Sequence, residues 1–237
     1  DECSYGIYDA TGVLVAEAGT EAYPNLELSF TVAYGPRLIL SGVLDLQLPS
    51  AGSDGKALMV TAIGDIADLS EYGVEVANNG NGSAGVTEFD FEAQTMSDGD
   101  VLFVVRSPEA YEAYFGAAVW ATMNWVQAND DISQNGDDCI LLYHNGVAYD
   151  AFGDPDVDGS GTDWEYVDAW AHRNCDSRTP TLDFNSGDWN IANPDCSEDS
   201  DTWATATCPF PYTDCAPIEC TDTEYIITLG GGTYDNE

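Results

Sequence analysis

Apolar and β-branched residues gather in short runs along this chain, recurring between turns of Gly, Asn, Asp and Ser. The runs are Leu38 to Leu46, Ala57 to Ile63, Val74 to Ala77, Val101 to Val105, Ile140 to His144 and Val147 to Phe152. Runs of this length between turn residues predict strands, and their spacing predicts a β-sandwich. Between the last two, Asn145-Gly146 supplies two residues that accept positive φ, which predicts a tight hairpin. One helix stands out: Ser107 caps it, Pro108 suits its first turn, Glu109 favours its positive end and Gly116 stops it. The stretch Ala117 to Gln127 reads as helix or not, its Trp and β-branched content leaving both open.

The two ends of the chain share a pattern. Tyr5-Gly6-Ile7-Tyr8-Asp9 and the residues to Ala16 read as a hairpin, and Tyr225-Ile226-Ile227-Thr228-Leu229 reads as a strand running into Gly230-Gly231-Gly232. Laid end to end they form one β-meander, which resembles a secreted β-repeat interrupted in mid-module. The division expected is therefore an N-terminal β-segment over 1–35, a sandwich over 36–212, and a strand within 213–237 that completes the β-module of the next subunit or repeat. Tyr225, Ile227 and Leu229 alternate correctly for insertion beside Tyr5 and Ile7, so assembly is expected there, between separate chains or along a tandem polypeptide.

Composition narrows the classes. With 44% hydrophobic residues, the 237-residue chain has enough apolar material for a core. Against 43 acidic residues stand five basic ones, a net charge of −38 that repels phosphate backbones and argues against nucleic acid. No apolar run nears the roughly 20 residues that span a bilayer and no basic, then apolar start marks a leader, so a processed chain without membrane insertion is expected.

Seven cysteines without a C-x-x-C pair, and only two histidines, favour disulfides over a metal cluster and an extracellular or cell-surface location. The expected bridges lie among Cys139, Cys175, Cys196, Cys208, Cys215 and Cys220. Cys3, at the assembly junction, is left over; the competing reading of the odd count is a buried free thiol. Asn81-Gly82-Ser83 is a glycosylation sequon in a Gly/Asn-rich turn, marking Asn81, and Lys56 is the only lysine.

The sharpest motif runs from Asp154 to Glu165 and fits D-x-[DN]-x-[DN]-G-x5-E at every position. Calcium takes six to eight hard oxygens, so Asp154, Asp156, Asp158, the Ser160 carbonyl and Glu165 are the expected Ca2+ ligands, with Gly159 allowing the turn. Pro155, Gly161 and the absence of flanking amphipathic helices argue against an EF-hand. The competing reading is an acidic turn leading to Trp164-Glu165-Tyr166.

Several blocks in order resemble a lamin tail domain of the secreted microbial type. They are Leu38 to Asp45, Gly55 to Val60, Ala67 to Val74, Asn135 to Val147, the Asp154 to Glu165 loop and Asp168-Ala169-Trp170-Ala171-His172-Arg173. The resemblance covers about Pro36 to Tyr212 and implies an immunoglobulin-like sandwich used as a non-catalytic module. It departs at Ala169, where the family has Gly, and at His172, where it has an aromatic residue; the cysteine-rich tail is extra.

No G-x-S-x-G elbow, phosphate-binding loop or H-E-x-x-H occurs. His144 reads as a surface residue, His172 lacks a nucleophile partner, and pairs such as Glu88 with Asp90 or Glu92 are expected on any solvated face of so acidic a chain. The expectation is an all-β, non-enzymatic, calcium-stabilised extracellular protein that polymerises with itself into a filament or surface layer. The alternatives are a binding or adhesion module, with carbohydrate as one ligand class, and an accessory domain of a secreted hydrolase.

Overall fold

The computed structural model describes residues 35–49, 52–198 and 201–212 in full and the backbone of strands 5–8, 14–18, 25–32 and 223–230. In chain order the strands are β1 (Tyr5–Tyr8), β2 (Leu14–Ala18), β3 (Asn25–Val32), β4 (Arg37–Leu46), β5 (Gly55–Ile63), β6 (Tyr72–Ala77) and β7 (Phe89–Asp90). There follow β8 (Val101–Val105), β9 (Trp125–Gln127), β10 (Cys139–His144), β11 (Val147–Phe152), β12 (Trp170–Arg173), β13 (Trp189–Ile191) and β14 (Thr223–Gly230). The helices α1 (Pro108–Phe115) and α2 (Ala117–Trp120) are short. The fold is an all-β sandwich, and among the described residues no helix is long and apolar enough to cross a membrane.

Two compact units divide the chain: 36–217, and a second built from 1–35 together with 218–237. The larger holds a four-stranded sheet, β11-β10-β6-β7, and a six-stranded sheet, β13-β12-β4-β5-β8-β9, in which only β8 and β9 run parallel. Its central strands β4 and β5 are buried on both faces, which explains why their sequences run apolar without alternating. One face of β5, with Leu58, Val60 and Ala62, joins Val74, Val76, Ile140 and Leu142 in the core between the sheets. The other, with Ala57 and Met59, packs under Tyr111, Phe115, Trp120 and Phe210.

A bulge between Leu40 and Gly42 sets which face each β4 residue takes. Leu38 and Leu40 point into the inter-sheet core; past the extra residue the parity flips, so Val43 joins that core and Leu44 and Leu46 face the helices. Gly42 is required by close approach, since a Cβ there would lie 3.0 Å from the Met59 Cβ and 3.1 Å from the Phe210 ring.

Helix α1 starts where Ser107 accepts a hydrogen bond from the Ala110 N–H at 3.3 Å and ends at Gly116 with φ 83°. The stretch after it is helical only over Ala117–Trp120, and Trp125–Gln127 is a strand, because its exposed end pairs with β8. At the β10–β11 turn Asn145 and Gly146 both take positive φ, 50° and 74°, as the hairpin requires.

In the smaller unit β1 pairs with β2, and β14 pairs antiparallel with β3 over all eight residues, from Thr223 opposite Val32 to Gly230 opposite Asn25. The strand holding Tyr225, Ile227 and Leu229, expected to complete the β-module of the next subunit or repeat beside Tyr5 and Ile7, is here paired with β3 of its own chain. The register sets Tyr225 opposite Phe30, Ile227 opposite Leu28 and Leu229 opposite Leu26. Residues 25–32 alternate polar and apolar strictly, and their apolar set Leu26, Leu28 and Phe30 falls opposite Leu229, Ile227 and Tyr225, with Ile226 the one apolar residue outside that set over 225–229.

Cys196 and Cys208 form a disulfide, and Cys175 is also disulfide-bonded. Cys139, expected among the bridged cysteines, is instead a buried free thiol on β10. It packs with Ala77, Leu141, Tyr143 and Ala151 on the outer face of the four-stranded sheet, and burial pushes its ionisation strongly upward. Cys3, Cys215 and Cys220 lie outside the described residues.

Candidate metal site

The Asp154 to Glu165 loop leaves β11 and is shaped by its own carboxylates. Asp154 Oδ1 accepts the Asp156 N–H at 2.9 Å, Asp158 Oδ1 accepts the Ser160 N–H at 3.0 Å, and Glu165 Oε2 accepts the Gly161 N–H at 3.0 Å. Such side-chain-to-backbone bonds turn the chain at every second residue. Asp154, Asp156, Asp158 and Ser160 are exposed and Glu165 is half-buried.

Two neighbouring segments hold the loop. From the β10 side, the Asp137 carbonyl accepts the Gly159 N–H at 3.0 Å and its carboxylate accepts the Ser160 hydroxyl at 2.8 Å. From the turn after β6, Gly82 donates to the Pro155 carbonyl at 2.8 Å, and a Cβ on Gly80 would sit 2.4 Å from the Asp158 nitrogen. Asp138 secures both segments, accepting N–H groups from Asn79 at 2.8 Å and Asn135 at 2.9 Å. Burial raises its carboxyl above the ordinary range.

Gly159 earns its place differently from the expectation. A Cβ there would lie 2.6 Å from the Trp164 ring and 2.7 Å from the Asp137 carbonyl oxygen, so the demand is close packing. Trp164 is buried, with its ring centroid 6.0 Å from that of Phe152 and 6.1 Å from that of Phe184. The loop is thus anchored in the inter-sheet core while its acids face solvent. Trp170 is buried too, but in the core beneath the helices, against Phe210 and away from Trp164.

The loop's carboxylates stand along the turn and do not converge: among the described residues, the one set of three acidic or metal-ligating side chains within 4.8 Å of one another is Asp168, Asp195 and Glu198. Asp168 and Asp195 take positive φ, 45° and 62°, and are tied by the Asp195 N–H to the Val167 carbonyl at 2.8 Å and the Ser197 N–H to the Asp168 carbonyl at 2.9 Å. Burial, and then the charge of Asp195, raise the Asp168 carboxyl. Asp195 and Glu198 bracket the bridged Cys196, a spacing visible in sequence; Asp168 is brought to them by the chain path alone. The chemistry of the 154–165 donor set, all hard oxygens on an exposed loop, fits calcium in kind.

Asn81 is exposed, with its amide donating to the Asn78 carbonyl at 2.9 Å. The histidines are built into the sheets. His144 stacks on Tyr72 at 4.4 Å, while His172 is buried against Phe210, and burial lowers its pKa. Comparison with protein-family models, with curated proteins and with solved structures finds no match for this chain.

Proposed function

We propose that the chain is an extracellular structural protein, a calcium-stabilised, lamin-tail-like β-sandwich that polymerises with itself through exchange of β14. The observation that carries this is the composition of the smaller unit, in which a strand from residues 223–230 pairs over its full length with a strand from residues 25–32, on the far side of the sandwich in sequence. An element joined in this way makes the same hydrogen bonds to its own chain or to a second copy, so exchange costs no contact, and successive non-closing exchanges give a filament. The acceptor is then β3, not the Tyr5 to Ala16 hairpin.

With 38 net negative charges per chain, copies repel. Salt shortens the screening length from about 30 Å at 0.01 M to about 10 Å at 0.1 M, so assembly strengthens with salt and with calcium. Electron microscopy and sedimentation across protein concentration test the proposal: filaments or open oligomers support it, and a monomer at every concentration and salt contradicts it.

A second reading is a binding module of a secreted or cell-surface protein. Pairing of β14 within its own chain favours it, as does Trp125, which is 41% exposed and stacked on the buried Trp120 at 5.4 Å, an arrangement suited to a sugar face. A monomer that binds a glycan array through Trp125 would put this reading first.

A further inference from the structure

The only lysine of the chain is buried. Lys56 on β5 stands directly opposite Asp45 on β4, and its Nζ donates to Asp45 Oδ1 at 2.8 Å, each side chain being 9% exposed. In a protein with 43 acidic residues, a lone lysine placed to relieve surface repulsion belongs outside; this one is buried and hydrogen-bonded to the Asp45 carboxylate.

The enclosure is buried and tied by hydrogen bonds. Gln134, fully buried, donates through Nε2 to the Leu44 carbonyl at 3.2 Å and to the Ala57 carbonyl at 3.1 Å, clamping the residues beside Asp45 and Lys56, while its main-chain carbonyl accepts a second hydrogen bond from Lys56 Nζ. Tyr111, fully buried, donates to the Gly55 carbonyl at 2.6 Å, next to Lys56. On the other side the Asp45 N–H donates to the Ala169 carbonyl at 2.9 Å, and the Asp168 backbone hydrogen-bonds the Asp45 carboxylate. Asp168, half-buried, therefore stands next to the pair, and its side chain is held by Gln47 Nε2 at 3.1 Å.

We propose that Lys56 and Asp45 condense into an intramolecular amide cross-link between β5 and β4, with Asp168 as the proton shuttle. The partners are already held at hydrogen-bonding distance, 2.8 Å from Nζ to Oδ1, which replaces a bimolecular encounter by an intramolecular one.

The balance is that of a condensation. A proton crosses the existing hydrogen bond, turning ammonium and carboxylate into amine and carboxylic acid. The Nζ lone pair attacks Cγ, forming the N–C bond as the C=O electron pair moves onto oxygen. The Asp168 carboxylate takes a proton from nitrogen and passes it to the departing hydroxyl. The C–O bond breaks, the C=O re-forms and one water leaves. Asp168 returns to its starting state and nothing is oxidised or reduced.

Two measurements on the full chain test this. The intact mass, with disulfides accounted for, should fall short of the sequence mass by one water, and tandem mass spectrometry should place the loss on a branched peptide joining Lys56 to Asp45. After denaturation and reduction, an amine-acylating reagent should find no lysine amine, where the sequence holds one. A full sequence mass with Lys56 acylated would overturn the proposal, leaving an ion pair. So would a water loss mapped to an Asp-Gly step such as Asp98-Gly99. Lys56→Arg should abolish the loss, and Asp168→Asn should restore a reactive lysine in a folded protein; cross-linking unchanged in Asp168→Asn would overturn the shuttle assignment.

Discussion

Arg173 Nη2 donates to both carboxylate oxygens of Asp150, at 2.7 and 2.9 Å, with side-chain exposures of 4% and 0%. Asp150 lies on the four-stranded sheet and Arg173 on the six-stranded one, and β4 of the latter joins the network: Asp150 accepts the Leu40 N–H at 2.9 Å, and Arg173 Nε donates to the Leu40 carbonyl at 2.6 Å. The guanidinium also lies 4.6 Å from the centre of the Trp189 ring. A buried, multiply bonded pair thus bolts the two sheets together. Asp150→Asn leaves an unmatched guanidinium in the core and should cost about 3–5 kcal/mol, read from denaturant unfolding. A loss below about 1 kcal/mol, the value of an exposed pair, would show that the bolt carries no load.

Stability should rise on mild acidification. Burial raises the carboxyls of Asp138 and Asp168, which hold no salt bridge, above their ordinary value of 3.8. A carboxyl raised in the folded state favours folding fully below its unfolded value, and that contribution is lost as pH climbs through the folded value. Neutralising part of a net charge of −38 acts in the same direction. His172 opposes, since burial lowers it from 6.5 and its cost begins below that pH, but it is one group against two. In calcium-free buffer, the melting temperature should climb between pH 7 and the upper edge of the ordinary carboxylate range. A steady fall would contradict this balance.

Gly159→Ala should disrupt the acidic loop from inside. The added methyl would meet the Trp164 ring at 2.6 Å and the Asp137 carbonyl at 2.7 Å, neither of them a free chain end. Overpacking of this kind costs about 1–3 kcal/mol. Gly161→Ala meets no atom within 4 Å and is strained only by its φ of 72°, so it should be the milder change. Thermal melts of the two variants compare them directly.

Calcium should stabilise the fold through the same loop. A ligand bound by the folded state alone adds about 2.7 kcal/mol at a hundredfold excess over Kd. Chelator should lower the melting temperature of the parent chain and leave Asp156→Ala unchanged. If Asp195→Ala, and not Asp156→Ala, removes the sensitivity, the metal sits with Asp168 and Glu198.

Strands β4, β5, β8, β10 and β11 were legible because they are buried on one or both faces and their apolar runs are unmistakable. Helix α1 was legible from Ser107 and Gly116, whose roles depend on local geometry alone. Strand β3 carries a clean alternation over Asn25 to Val32, a strand signal inside the N-terminal segment. Short strands such as β7 and β13 carry no periodicity and exist because a neighbour pairs with them. The site divides in the same way. Asp154 to Glu165 is a contiguous motif, whereas the meeting of Asp168 with Asp195 and Glu198, and of Lys56 with Asp45, depends on register and chain path.

Strand exchange is tested most directly by fixing the pair that the register sets face to face, Leu28 and Ile227. Directly opposed antiparallel residues have Cα atoms about 4.5–5.5 Å apart, within disulfide reach. In Leu28→Cys/Ile227→Cys, oxidised at high protein concentration and salt, the predicted result on a non-reducing gel is a ladder of covalently linked chains that collapses on reduction, beyond any seen for the parent chain. A single band of internally bridged monomer under every assembly condition would contradict exchange of β14 and leave the binding-module reading in its place.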